Sequence, residues 1–173
     1  MSVERHLHGL WKRLYGYAVT LTSNAEQARE LMQDVAVKAL VARRVPSADR
    51  AVRAWLFAIV RNAWVDRLRS ERKHILGTLD ESDGDVSLQS VWRFDESFVA
   101  EITVRQALGR IDPIYRDIVA LVDIAGFSYA EAADIAGIPI GTVMSRISRG
   151  RAALLDVIAE TNLRPLAGKR RRG

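Results

Sequence analysis

A chain of 173 residues that is 49% apolar, 27% charged and free of cysteine has material for one or two small cores, and it excludes disulfides, thiolate metal sites and thiol catalysis. Its net charge of +5 is unevenly spread: Lys and Arg against Asp and Glu count 14 to 7 over residues 1–75, 1 to 7 over 76–101 and 11 to 7 over 102–173. Two basic blocks around an acidic one fit a chain that meets a polyanion through both blocks, although solvated helix faces give milder versions of the pattern.

The opening "MSVERHLHGLWKRLYGY" places charges and histidines where a signal peptide needs an apolar run. No stretch reaches the roughly 18 apolar residues of a membrane span, so a cytoplasmic chain without membrane insertion is expected. From Val3 to Lys73 apolar residues recur at helical spacing, with breaks at "TSNAE" and "VPSAD". This predicts three helices, with Asn24 and either Ser47 or Asp49 as caps. In the third, Val52, Leu56, Ile59 and Ala63 form one apolar face, while Phe57, Trp64 and Leu68 gather around Arg61 on another. That second face suits base stacking beside a phosphate-gripping set of Arg61, Arg67, Arg69, Arg72 and Lys73. For each aromatic taken singly, core packing is the commoner role.

Residues 76–90, "LGTLDESDGDVSLQS", are acidic and polar without a sustained period and read as a linker, with Asp80, Glu81, Asp83 and Asp85 as its solvation. A second helical block is expected from about Asp95 to Ala159, and "KRRRG" as a basic tail. No β alternation competes. The expectation is an all-α chain of two small helical domains, 1–75 and 96–163, joined by a flexible acidic linker, 76–95, and followed by a tail, 164–173.

Within the second block, Ser128-Tyr-Ala-Glu131 is a capping-box pattern that starts a helix. Small residues Ala130, Ala132, Ala133 and Ala136 follow, Gly137 suits a left-handed stop, and Pro139 suits the first turn of a further helix. Helix, glycine turn, helix is the helix-turn-helix layout. On a 100° wheel Ile140, Val143, Ile147 and Leu154 form the packed side of the last helix. Thr142, Ser145 and Arg149 lie opposite, flanked by Arg146 and Ser148. Hydroxyls and guanidinium forks are the groups that donate to phosphates and guanine edges. An ordinary amphipathic surface helix also carries such residues, but here no acidic residue occurs from Ala136 to Leu155. Met144, about 40° from Ile140 on the wheel, is expected to pack against the neighbouring helix.

The stretch "ALGRIDPIYRDIVALVDIAGFSYAEAADIAGIPIGTVMSRISRGRAAL" resembles the fourth domain of bacterial sigma factors of the extracytoplasmic-function (ECF) group. "ELMQDVAVKAL" followed by "RAWLFAIVRNAWVDRLRSERK" resembles their second domain. "GTVMSRISRGR" is similar to the general-stress type of alphaproteobacteria. The resemblance implies an alternative sigma factor, active in a stress response, whose partners are core RNA polymerase, promoter DNA and an anti-sigma factor. It implies that Glu30, Gln33, Asp34 and Lys38 face the polymerase clamp. Asn62 is placed near the pocket for a flipped non-template base, an amide suiting a base edge. The loop from Arg43 to Arg50 completes that pocket, so the minus-ten set is Arg43, Arg44, Ser47, Arg61, Asn62, Arg67 and Arg69. Thr142, Ser145, Arg146, Ser148 and Arg149 would read the minus-thirty-five element. Val35, Ala36, the loop "RRVPSADR" and Met144 depart from residues common in the family.

No phosphate-binding glycine loop occurs, the histidines at 6, 8 and 74 lack metal-ligand spacing, and "DGD" at 83–85 lacks the rest of a calcium loop. No catalytic residue, metal or cofactor is expected. The alternative function is a helix-turn-helix regulator that binds duplex DNA without being a polymerase subunit, but such a chain needs a sensor or dimerisation domain in its first 75 residues.

Overall fold

The computed structural model describes residues 3–75 and 104–162. The expected linker 76–95, the first residues of the second block and the tail 164–173 lie outside the described residues. Seven helices are described: α1 Val3–Thr22, α2 Ala25–Leu40, α3 Asp49–Ile75, α4 Val104–Arg110, α5 Pro113–Val119, α6 Tyr129–Ala136 and α7 Ile140–Asn162, with a π-helical turn at Ala120–Ile124 continuing α5.

Local chemistry explains most of the boundaries. Asn24 adopts extended backbone and its side chain accepts from the Glu26 and Gln27 amides, so α2 starts where the cap was expected. Ser23 before it, at φ 53°, is the one described non-glycine residue in the left-handed region. It lets α1 and α2 turn back on each other, at the small cost such a conformation carries. The start of α3 differs from expectation: the Val52 amide donates to the Ala48 carbonyl at 2.9 Å, so neither Ser47 nor Asp49 is the cap. Asp49 instead lies in the first turn, where the helix dipole favours a carboxylate, with its Oδ1 3.0 Å from His6 Nε2.

Asp112 caps α5, its side chain accepting from the Ile114 amide at 2.9 Å. In the π-helical turn the Ala125 amide donates to the Ala120 carbonyl at 2.8 Å, one residue further back than in an α-helix. Gly126 then takes φ 74°, which returns the chain so that Phe127 points into the core. Ser128 and Glu131 form the expected reciprocal capping box, and Gly137 the expected left-handed stop at φ 66°. Pro139 precedes α7 rather than opening it: its carbonyl accepts from the Thr142 and Val143 amides.

α1, α2 and α3 form a three-helix bundle around Leu14, Leu31, Val35, Leu56 and Val60. α4 to α7 form the second unit, in which α5 and α7 approach closely. A Cβ added at Gly150 would stand 2.7 Å from Val119 Cγ2 and 3.1 Å from Tyr115 Cβ, so only glycine allows that approach. The two units pack as one. A continuous apolar core runs from Leu7 to Ile147, with α1 and α3 laid against α5, the π-helical turn and α6.

Candidate nucleic-acid interface

The outward face of α7 emerges from a buried stripe of Val143, Ile147 and Gly150. Ser145, Ser148 and Arg149 are exposed, and Thr142 and Arg146 are half-buried at its edge. Ser145 donates to the Thr142 carbonyl at 3.0 Å. Arg151, two residues beyond Arg149, is tied by two bonds of 3.0 and 2.6 Å to Asp123. Arg110 pairs with Glu160, and buried Arg116 donates to the Gly109 and Ile111 carbonyls. By contrast, Arg146 and Arg149 have no ion pair or side-chain hydrogen bond among the described residues. Two apolar side chains depart from expectation: Met144 is 54% exposed and Ile140 49%. Both lie in the first turn and a half of α7 at the outer margin of the packed stripe: Ile140 precedes Val143, where burial begins, and Met144 is turned by about 100° from Val143.

On the first unit, Arg43, Arg44 and Ser47 are exposed on the loop after α2, and Asn62 and Arg69 are exposed on α3. Arg67 and Arg61 are engaged elsewhere. Arg67 reaches across to α2, at 2.5 Å from Asp34 and 3.7 Å from Glu30. Arg61 turns inward, its Nε donating to Asp117 Oδ2 at 2.7 Å. The Tyr17 hydroxyl donates to the other oxygen of Asp117 at 2.6 Å. Burial, and then the charge of Asp117, push the Tyr17 pKa well above its ordinary value, so the phenol stays a donor. The structure therefore separates the seven residues expected at the minus-ten element into five exposed residues and two in ion pairs.

Glu30, Gln33, Asp34 and Lys38 are all exposed on α2. Beside them stands an apolar stripe that sequence reasoning passed over: Val37, Leu40 and Val41 are 61%, 53% and 71% exposed. Trp11, Tyr15 and Met32 line a shallow cleft next to Gln33 and Arg29. Their spacing, three and four residues apart, was readable, but a helix of unknown orientation gives no sign of which apolar residues stay in water.

Where α3 meets α6 lie Arg50 and Arg53, whose partners sequence could not supply. Arg50 Nε donates to Glu131 Oε1 at 2.7 Å. Arg53 lies over the Phe127 ring, 4.2 Å from its centroid, and donates to the Ala125 carbonyl. The bond from Arg50, then those from the Ser128 amide and hydroxyl, hold Glu131 down to about 2. A depressed carboxyl pKa contributes stability above the ordinary carboxylate range and loses it as pH falls toward 2. In an acid titration followed by far-ultraviolet circular dichroism, Glu131→Gln should therefore remove part of the wild-type loss between about pH 4.5 and 2. The Arg50 side chain is 78% exposed, so the effect should be small and shrink with added salt.

No group of residues able to hold a metal ion occurs among the described residues, and no described helix is long and apolar enough to cross a membrane.

Comparison with known proteins bears on both units. Residues 3–74 match Sigma-70 region 2, and residues 102–154 match Sigma-70, region 4. The chain is 31% identical over 144 residues to the ECF RNA polymerase sigma factor EcfG of Rhodopseudomonas palustris, covering 82% of this chain and 76% of that protein. It is 30% identical over 155 residues to the ECF RNA polymerase sigma factor SigM of Mycobacterium tuberculosis, covering 87% of this chain and 74% of that one. Among solved structures, the sigma factor RpoE in complex with the anti-sigma factor NepR from Bartonella quintana superposes with a TM-score of 0.68 at 28% identity, covering 90% of this chain and 96% of the other. With both regions present in order and the relatives matched over most of their length, the chain belongs to the ECF-type sigma-70 family of RNA polymerase sigma factors.

Proposed function

We propose that the chain acts in the cytoplasm as an alternative sigma factor, recruiting core RNA polymerase through α2 and recognising the minus-ten element with α3 and its preceding loop and the minus-thirty-five element with α7. The observation that carries this reading is the contrast on the second unit. Arg110, Arg116 and Arg151 are bonded within the protein, whereas Arg146 and Arg149 have no ion pair or side-chain hydrogen bond among the described residues and stand on the face of a helix entered by a tight glycine turn. Charges left without partners beside hydroxyls are the donors a major groove takes. The exposed apolar stripe on α2, beside Glu30, Gln33, Asp34 and Lys38, supports a protein partner there, because an ordinary solvated face does not line up three large aliphatics. The match to region 2 over residues 3–74 argues against a regulator that binds duplex DNA alone. The factor itself supplies no catalytic group.

The EcfG relative supports placement in the alphaproteobacterial general-stress type, and the RpoE–NepR structure supports an anti-sigma partner. Run-off transcription with added core polymerase tests the reading as a whole; no promoter-specific transcript with core present rejects it. The finer assignment on α7 predicts mutants that differ in kind. Arg149→Ala should lose about 1–3 kcal/mol on the cognate minus-thirty-five element and relax preference at one base pair. Arg146→Ala should weaken all sequences alike and flatten the log–log salt dependence by about one unit. Binding titrations against single-base variants at several salt concentrations separate the two.

A further inference from the structure

The outward side of α7 is one continuous stripe. Gly141, Met144, Ser145, Ser148, Arg149 and Ala152 are all exposed, at the three- and four-residue spacing of a helix face, while Val143, Ile147 and Gly150 occupy the opposite, buried side. Gly141, Ser145, Ser148 and Ala152 are small, so Met144 and Arg149 are the two long side chains that reach beyond the helix surface there. A Cβ added at Gly141 would meet nothing within 4 Å. The turn before Met144 is therefore open, and that is the turn over which a helical side chain at 144 leans.

A single exposed methionine on a solvated face needs no partner. Met144, however, shares its stripe with Ser145, Ser148 and Arg149, the residues that the sigma-factor reading presents to the major groove. The groove floor offers a long side chain hydrogen-bond donors, acceptors and the C5-methyl group of thymine. Methionine has no donor and only a weak acceptor. Against a base amino group or carbonyl it would expel water without replacing the lost hydrogen bond, which costs free energy. Against a thymine methyl it buries apolar surface on both sides, which is favourable, and the flexible thioether chain adapts to where that methyl stands.

We infer that Met144 is a specificity-determining residue for the minus-thirty-five element, reading the C5-methyl group of one thymine by apolar contact. The inference rests on the sigma-factor reading and names a base feature within it. Arg149 stands five residues further along α7, or about 7.5 Å at 1.5 Å per residue. At 3.4 Å per base step, the thymine then lies about two base pairs from the pair that Arg149 reads.

The test uses the full-length chain with core polymerase, which first selects minus-thirty-five elements from promoter duplexes randomised at that element. Each thymine of the selected element, on either strand, is then replaced singly by deoxyuridine, which removes the methyl group alone, and equilibrium binding of the holoenzyme is measured. The wild type should bind about fourfold more weakly with deoxyuridine at one position. That is the effect of burying one methyl-sized group, about 0.8 kcal/mol, converted at about 1.4 kcal/mol per factor of ten. Met144→Ala should bind thymine and deoxyuridine equally at that position, whereas Met144→Leu, which keeps an apolar side chain, should keep the response. Both replacements are good helix formers at an exposed position, so the fold should be retained. A wild-type holoenzyme indifferent to every replacement overturns the inference. So do a selected element with no thymine on either strand, and a methyl response that persists at full size in Met144→Ala. Enrichment of no duplex, together with no promoter-specific transcript, rejects the sigma-factor reading and this inference with it; enrichment without a methyl response rejects the inference alone.

Discussion

Asp34→Arg combined with Gln33→Ala is expected to weaken association with core polymerase by about 30- to 1,000-fold, the consequence of the 2–4 kcal/mol that a like-charge contact and a lost polar anchor cost at a docked interface. Asp34 is exposed on α2 and its carboxylate pairs with half-buried Arg67 at 2.5 Å, so the replacement puts a second arginine beside Arg67 at the protein surface, where it can turn into solvent and repulsion is mild. The fold should survive, with Arg67 retaining Glu30 at 3.7 Å. Gln33 lines the cleft with Trp11 and Met32, next to the exposed aliphatics of α2. The variant should bind minus-thirty-five duplex DNA as the wild type does, because the α7 face belongs to the other unit. Equilibrium binding to core and to the duplex measures both quantities. Undiminished core binding would mean that α2 has been given the wrong partner.

Phe57→Ala should destabilise the chain by about 3–5 kcal/mol, the range for removing a buried aromatic from a packed core. Phe57 is wholly buried, touching Tyr17 of its own unit and meeting Phe127 of the other edge-on at 79°. The loss should therefore appear in urea unfolding as a lower midpoint, and wild-type unfolding should be one cooperative transition with both units melting together. Phe127→Ala should be less than additive with it by about 0.5–1.5 kcal/mol, the pairwise worth of an aromatic contact. Additivity within about 0.3 kcal/mol would mean that the two rings do not meet in solution.

The packing role of Phe57 and Trp64 was one of two readings open in the sequence, and the structure takes it for both: Trp64 is 7% exposed and Leu68 2%. The two-faced character of α3 was correctly visible as periodicity. Its cause was not. In this structure the second face covers another part of the same chain, and Arg61 pairs with a residue 56 positions away. Met144 shows the same limit at smaller scale: the wheel places it beside Ile140, but the side of α7 that is buried is centred on Val143 and Ile147, leaving both Ile140 and Met144 at its exposed margin.

Features whose energy comes from residues within about one helical turn are legible in the order of the residues alone. The three-helix period of the first block, the Asn24 cap, the Ser128–Glu131 box, the Gly137 stop and the hydroxyl–guanidinium face of α7 are of this kind, because a cap bonds two or three residues on and a helix face repeats every three or four. The family resemblance is likewise a property of residue order. Which arginines are paired among the described residues depends on tertiary contacts. Arg61, Arg67 and Arg151 read as cations exactly like Arg149 until Asp117, Asp34 and Asp123 are brought to them by helices distant in sequence. Tertiary structure also decided that Val37, Leu40 and Val41 stay in water, since burial depends on which neighbour arrives and an apolar side chain carries no record of that.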